Sequence, residues 1–307
     1  MKLINRDNYM SFTKRIDEIL KKAKTVEFDN SSKFVIMSDC HRGDGGLGDN
    51  FFKNQDVYFH ALRYYYKYKY TYIELGDGDE LWEVKKVSDI IENYSNIFWL
   101  LSKFYRKGRL YCVYGNHDKV KEDKRYIEKN YSEFFDEQKN RYTTLFKDIE
   151  INEGLILRDK ESNNNIFLIH GHQGDFMNDK MWRITRFLVR YIWRPLEIYG
   201  VNDPTSTAKN YKKKIKTVRK FVQWVKAKKI MVIAGHTHKP MFPKVGDVPY
   251  FNDGSCVHPR CITAIEIEAG RIQLVKWCVS AKEDGTLAIL KSVLAGPCNI
   301  NDYFNGE

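Results

Sequence analysis

The sequence predicts a mixed α/β sandwich. Short β-rich runs alternate with amphipathic helical stretches over the first four-fifths of the 307-residue chain, as βαβ units do. The remainder reads as consecutive strands that turn at Ala269-Gly270. Polar, metal-competent residues recur just after the strand-like runs, at the strand ends where open α/β architectures hold ligands.

In chain order, Phe12 to Lys24 fits an amphipathic helix packed on the outside. Strands are predicted over Phe34 to Ser38, Thr71 to Leu75, Arg109 to Tyr114, Gly154 to Leu157, Ile166 to Ile169 and Ile230 to Ala234. Val248 to Phe251, Cys261 to Glu268 and Arg271 to Val279 follow, the last two as a hairpin. Between them the apolar spacing predicts helices over Asn54 to Tyr68, Leu81 to Asn93, Ile97 to Arg106 and Lys121 to Lys139. No internal repeat and no Ser/Gly/Pro-rich linker divides the chain, so residues 1–307 read as one domain.

Composition excludes other classes. With 30% charged and 43% hydrophobic residues the chain is neither a disordered acidic segment nor a membrane bundle. No uncharged apolar window reaches the length of a membrane span, and the N-terminus lacks a leader-like apolar stretch. The six cysteines form no CxxC pair and lie mostly in strand-like runs, where a thiol packs as a small apolar group. A reducing cytoplasm is the expected location.

The formal charge of +11 is concentrated in one segment. From Met181 to Lys229 there are 14 Lys and Arg against Glu197 and Asp203, a net of +12, which leaves the rest of the chain at −1. The segment is also aromatic. Its first half, MWRITRFLVRYIWRPLEIYG, spaces Arg183, Arg186, Arg190 and Arg194 along one helical stripe; its second half, AKNYKKKIKTVRKFVQWVKAKK, is a second basic amphipathic helix. A solvated cationic face is the commonest fate of such a run. The functional readings are a cap over an anionic substrate, a peripheral membrane or lipid contact through 181–229, and a nucleic-acid contact, the last less favoured.

Chemistry concentrates elsewhere. The strand-like runs lead into Ser38-Asp39-Cys40-His41, Gly76-Asp77-Gly78-Asp79-Glu80, Gly115-Asn116-His117-Asp118, His170-Gly171-His172 and Gly235-His236-Thr237-His238. Six of the eight histidines lie in these places, which packing does not explain and a metal site does. Asp39 and His41, alternate residues of an extended chain, point to one side, and the two oxygens of Asp77 can bridge two cations. Asn116 and the imidazoles of His170, His236 and His238 complete mixed N/O shells, which suit Mn, Fe or Zn better than Ca or Mg. Two cations roughly 3.5–4 Å apart form a clamp for displacement at phosphorus. By contrast, Cys40 faces away as a core thiol, His60 packs among aromatics, and His172 and His258 receive no role.

Asp39-x-His41, Gly76-Asp77, Gly115-Asn116-His117-Asp118, His170 and Gly235-His236-x-His238, in this order, resemble the signature of the calcineurin-like metallophosphoesterases. The resemblance spans residues 33 to 255 and implies a two-sheet β-sandwich flanked by helices, an αββα arrangement, with a binuclear centre between the sheets. It implies Asp39, His41, Asp77 and His238 on one divalent ion and Asp77, Asn116, His170 and His236 on the other, with Mn expected first and Fe or Zn as alternatives. His117 and Asp118 resemble the family's catalytic pair. The basic helical insert at 177–229 and the Leu81-Trp82 pair are similar to the UDP-diacylglucosamine pyrophosphatase branch, where the insert caps a lipid-bearing nucleotide. That branch carries His-Gly-Asp where this chain has His170-Gly171-His172, and the insert here is longer and more basic.

The expected activity is therefore hydrolysis of a phosphoester or pyrophosphate bond by a metal-bridging hydroxide. The substrate is an anionic nucleotide- or lipid-linked phosphate, met by Arg42, Arg183, Arg186 and Arg190, with His117 as leaving-group acid and Asp118 fixing its tautomer. A nuclease of the same fold, and a nucleic-acid or membrane-surface binding module with a vestigial metal site, are the alternatives.

Overall fold

The computed structural model describes residues 6–46, 48–136, 140–193 and 211–304. Helix α1 (Arg6–Lys22) leads into β1 (Lys24–Phe28) and β2 (Lys33–Met37). Two crossovers between parallel strands follow, through α2 (Gln55–Lys67) to β3 (Thr71–Leu75), then through α3 (Val87–Asn93) and α4 (Ser95–Arg106) to β4 (Leu110–Val113). Next come α5 (Lys124–Tyr131), the antiparallel pair β5 (Glu133–Asp136) and β6 (Arg141–Thr144), then β7 (Ile151–Asn152), β8 (Gly154–Asp159) and β9 (Asn165–Ile169). The basic segment contributes α6 (Phe176–Asp179), α7 (Trp182–Leu188), a π-helical turn (Val189–Trp193) and α8 (Tyr211–Lys228). Strands β10 (Met231–Ala234), β11 (Tyr250–Asn252), β12 (Cys261–Glu268), β13 (Arg271–Ala281) and β14 (Leu287–Asn299) complete the chain.

The strands form two main sheets, ordered β14-β13-β12-β2-β3-β4-β7 and β1-β8-β9-β10-β11. Alternation along each strand fixes the layers. Phe34 and Ile36 of β2, with Ile166 and Leu168 of β9, face the other sheet in a shared apolar core. Their neighbours Val35 and Met37 face α2 and α4, while Phe167 and Ile169 face α1 and α8. Strands β2, β3 and β4 therefore read as nearly continuous apolar runs, because both of their faces are covered. The result is the helix–sheet–sheet–helix sandwich that the sequence implied.

Several elements differ from expectation, with β1, β6 and β7 among the strands that the sequence does not predict. The predicted helix over Lys121 to Lys139 ends at Tyr131, and β5 begins two residues later. The stretch Leu81 to Lys86 forms a turn, and only Val87–Asn93 is helical. Strand β14 was not predicted; it pairs along β13 and extends the terminal hairpin into a three-stranded antiparallel flank. No helix among the described residues is long and apolar enough to cross a membrane.

The basic segment divides. Helix α8 buries Phe221, Trp224 and Val225 against α1 and the five-stranded sheet and so forms part of the sandwich itself. Helices α6 and α7 lie on the side of the polar loops, and 194–210, including Arg194, lie outside the described residues.

Candidate metal centre

The five polar loops leave the ends of β2, β3 and β4 in one sheet and β9 and β10 in the other, and they meet at one end of the sandwich. Their conformation is unusual. Asp39, His41, Asp77, His236 and His238 all have φ between 49° and 66°, the left-handed region that side-chain-bearing residues seldom occupy. Asp39 and His41 thus converge through two left-handed turns rather than through strand alternation. At Gly76 (φ +91°) an added Cβ would lie 2.5 Å from His170 Nδ1, so only glycine lets the β3 loop pass this imidazole.

The side chains form two adjoining groups, Asp39 with His41 and His238, and Asp77 with His170 and His236, in each of which the ligating atoms lie within 4.8 Å of one another. In the first, His238 Nε2 is 2.9 Å from Asp39 Oδ1 and 3.3 Å from His41 Nε2. Asp77 joins the two groups through one oxygen. Its Oδ1 accepts from the His117 amide at 2.8 Å, while Oδ2 faces His170 Nε2 at 3.2 Å and His41 Nε2 at 3.8 Å. Oδ1 is therefore taken by the backbone, and Oδ2 is the oxygen that faces both groups.

These residues fit a pair of cations. Asp39 Oδ1, Asn116 Oδ1, His170 Nε2 and His236 Nε2 are buried without a hydrogen-bond partner, which costs roughly 1–3 kcal/mol per group unless something else satisfies them. The opposite atoms of His170 and Asp39 are held. His170 Nδ1 donates to the Leu75 carbonyl at 2.8 Å, and Asp39 Oδ2 accepts from the His236 amide at 2.8 Å and from the Ser38 hydroxyl. These two are thus oriented from behind with the free atom aimed inward, as outer-shell partners orient metal ligands. Burial, reinforced by the neighbouring His170, lowers His236 to about 3, so its ring is a neutral donor at ordinary pH. Burial would raise Asp77, but His170 and His117 overcome it and hold the carboxylate well below its usual range.

His117 sits at the rim with its side chain 21% exposed. Its Nδ1 donates to Glu80 Oε1 at 2.7 Å, and the other oxygen of Glu80 accepts from His41 Nδ1 at 2.7 Å. Trp82 stacks on the His117 ring at 4.1 Å between centroids, inclined by 23°. Burial depresses the imidazole, yet the Glu80 and Asp77 carboxylates more than offset it and leave His117 above its ordinary value. The expected His117–Asp118 pair is corrected here, because Asp118 faces the other way. It accepts from the amides of Gly115 (2.7 Å), Gly78 (3.1 Å) and Asp77 (3.3 Å) and from Lys121 Nζ (2.8 Å), latching the β3 loop to the β4 loop. Glu80, unassigned from sequence, takes the place beside His117.

The expected phosphate-binding arginines fare differently. Arg42 is 1% exposed and lies beneath the site, donating to Glu74 (2.7 and 3.0 Å) and through Nε to Asp79 (2.7 Å), so its substrate role is withdrawn. Arg190 donates to the backbone carbonyls of Leu81, Trp82 and Val84. Arg186 is half-buried, where burial and the neighbouring Arg190 lower its pKa, and exposed Arg183 lies over the neighbouring Trp182 ring at 5.5 Å. His172 is buried beside His170, with its Nε2 3.9 Å from Asp179 Oδ1. Cys40 is buried away from the ligands, as expected, and His60 packs 5.7 Å from Trp277.

A comparison of the sequence with curated proteins finds no match. Among solved structures, the chain is similar to Vps29 of Chaetomium thermophilum, at 8% identity and TM-score 0.39, over 86% of this chain and 97% of that one. It is also similar to wild-type Vps29 of Entamoeba histolytica complexed with Zn2+, at 13% identity and TM-score 0.37, over 85% and 98% of the two chains. At these scores neither likeness bears on the site. The family model for calcineurin-like phosphoesterases matches residues 32–240, well over half the chain. That stretch carries all five converging loops, and the chain belongs to the calcineurin-like phosphoesterase family.

Proposed function

We propose that this protein is a binuclear metal-dependent phosphoesterase in which His117 protonates the leaving oxygen. The observation that carries the reading is the double contact of Glu80, with one oxygen on the outward-facing His117 and the other on the inward-facing His41. When bound, two divalent ions would neutralise charge at the phosphoryl group and acidify a water molecule. Asp39, His41, Asp77 and His238 would hold one, and Asp77, Asn116, His170 and His236 the other; the mixed N/O donors are compatible with Mn, the ion expected first, and with Fe or Zn.

The chain's own groups do the rest. Glu80 fixes the Nδ1–H tautomer of His117 and keeps its Nε2 the atom that carries a transferable proton. The Trp82 face restrains the ring and favours its cationic form. A substrate combining a nucleotide- or lipid-linked phosphate with an apolar portion is the class we favour. Its support is the exposed side chains of Ile184, Phe187, Tyr191 and Ile192, interspersed with Arg183 and its neighbouring cations. A peripheral contact between this face and an anionic lipid surface belongs to the same proposal.

The test is turnover of His117→Ala on p-nitrophenyl and phenyl esters with added Mn. Loss of about 10²-fold or more on the phenyl ester, against a small loss on the p-nitrophenyl ester, is expected, because p-nitrophenolate departs without a proton. Equal turnover of wild type and variant on both esters would remove His117 from the chemistry.

A further inference from the structure

Arg190 does not hold a substrate phosphate; it holds a turn. From the π-helical turn of the basic segment, its Nε donates to the Trp82 carbonyl at 2.8 Å, and its Nη2 donates to the carbonyls of Leu81 at 2.7 Å and Val84 at 3.1 Å. The tied turn follows directly on Glu80. It is irregular, so these carbonyls lack the partners that a helix would give them, and a planar guanidinium can span all three. A second contact runs parallel to the first, with Lys85 Nζ 5.4 Å above the Tyr191 ring.

Besides His41, which packs edge-on at 4.6 Å, the two groups that touch the His117 ring belong to this turn or adjoin it. Glu80 receives Nδ1, and Trp82 covers one face of the imidazole. Trp82 is only 3% exposed, and its indole N–H has no partner, so its own side-chain hydrogen bonding does not fix the ring's position. What fixes the Trp82 backbone is Arg190. We infer that Arg190 is a positioning residue, through which the basic segment sets the Leu81–Val84 turn and thereby orients His117 for leaving-group protonation.

The inference rests on the reading of His117 as the acid, and the experiment separates the two. Arg190→Ala and Arg190→Lys are compared with wild type and with His117→Ala on p-nitrophenyl and phenyl esters, with metal content measured for each protein. Both Arg190 variants are expected to lose roughly ten- to hundredfold in kcat on the phenyl ester, the scale of a misplaced catalytic group. On the p-nitrophenyl ester they are expected to lose less than about threefold, with metal content unchanged. Lysine keeps the charge but cannot span three carbonyls, so a selective loss in Arg190→Lys points to positioning rather than to charge. An equal loss on both esters, or none, in the Arg190 variants while His117→Ala shows leaving-group dependence overturns this inference alone. Absence of that dependence from all the variants overturns the reading of His117 and the inference with it.

Discussion

Glu80 lies between His41 of the candidate metal centre and His117, the proton donor proposed above, and one substitution there tests its link to each. Glu80→Gln keeps the size of the side chain and one acceptor but removes the negative charge that raises His117. A raised imidazole stays protonated, and so competent as an acid, until the pH climbs through its elevated pKa. Once metals compensate the Asp77 charge, Glu80 is the carboxylate that maintains this elevation. The alkaline limb of the pH–kcat profile for a phenyl ester is therefore expected to move to lower pH in Glu80→Gln, with lower activity throughout the alkaline range. A limb that stays in place would show that Glu80 does not set the acid's pKa. The sequence displayed Asp77, Asp79 and Glu80 in one short run but not their directions. Strand alternation no longer applies once Asp77 turns left-handed at φ 50°, which sends Asp79 down to Arg42 and Lys121 and Glu80 across to the two imidazoles. Asp118, adjacent to His117 in sequence, points away from its ring to the Gly115, Gly78 and Asp77 amides and to Lys121.

Among the elements, the basic segment shows what periodicity can and cannot settle. Helix α8 was legible from its amphipathic spacing, and its exposed cations Lys212, Lys216, Arg219, Lys226 and Lys228 do face solvent. Its destination was not legible, because a stripe such as Phe221-Trp224-Val225 suits a cap and a sandwich layer equally well. The structure places Trp224 at 0% exposure, with its indole N–H donating to Asp17 of α1 at 3.0 Å. Trp224→Ala is accordingly expected to destabilise the fold by about 3–5 kcal/mol in urea titration, as large core truncations do. A loss below about 1 kcal/mol would mean that α8 does not bear on the sheet. Strand β14 is illegible in the sequence for a related reason. It is an edge strand in which Leu287, Leu290, Val293 and Leu294 are exposed, so no half-buried alternation marks it, and Pro297 tolerates an edge position. The shortened α5 reflects tertiary preference overriding a helical pattern in Glu133–Asp136.

Across the whole molecule, the two sheets share one apolar core, and their loop ends share one polar centre. Ligands from β2 and β3 oppose ligands from β9 and β10, so bound cations would tie the sheets together at the end where buried donors and acceptors are otherwise unsatisfied. Chelation is expected to lower the melting temperature. One site at a hundredfold excess over its Kd contributes about 2.7 kcal/mol, and each kcal/mol is worth roughly 2–4 °C in a domain somewhat smaller than this. A melting temperature unchanged by EDTA and by added Mn would place the ligands outside the stability of the fold. The architecture and the seven ligand candidates were readable from sequence because strand ends recur in order and metal-binding residue types are rare enough to stand out. The supporting contacts were not readable, since they depend on loop turns that bring together residues 37 to 197 positions apart.

The central claim is that two cations sit on these loops and that Asp77 joins them. Its most direct test is metal content measured together with turnover of bis-p-nitrophenyl phosphate and p-nitrophenyl phosphate, for wild type and Asp77→Asn. About two metals per wild-type chain, with loss of both metal and at least roughly 10²-fold of turnover in Asp77→Asn, is the predicted result. A wild-type protein that binds no metal and hydrolyses neither ester, or an Asp77→Asn variant that keeps full metal and full turnover, would contradict it.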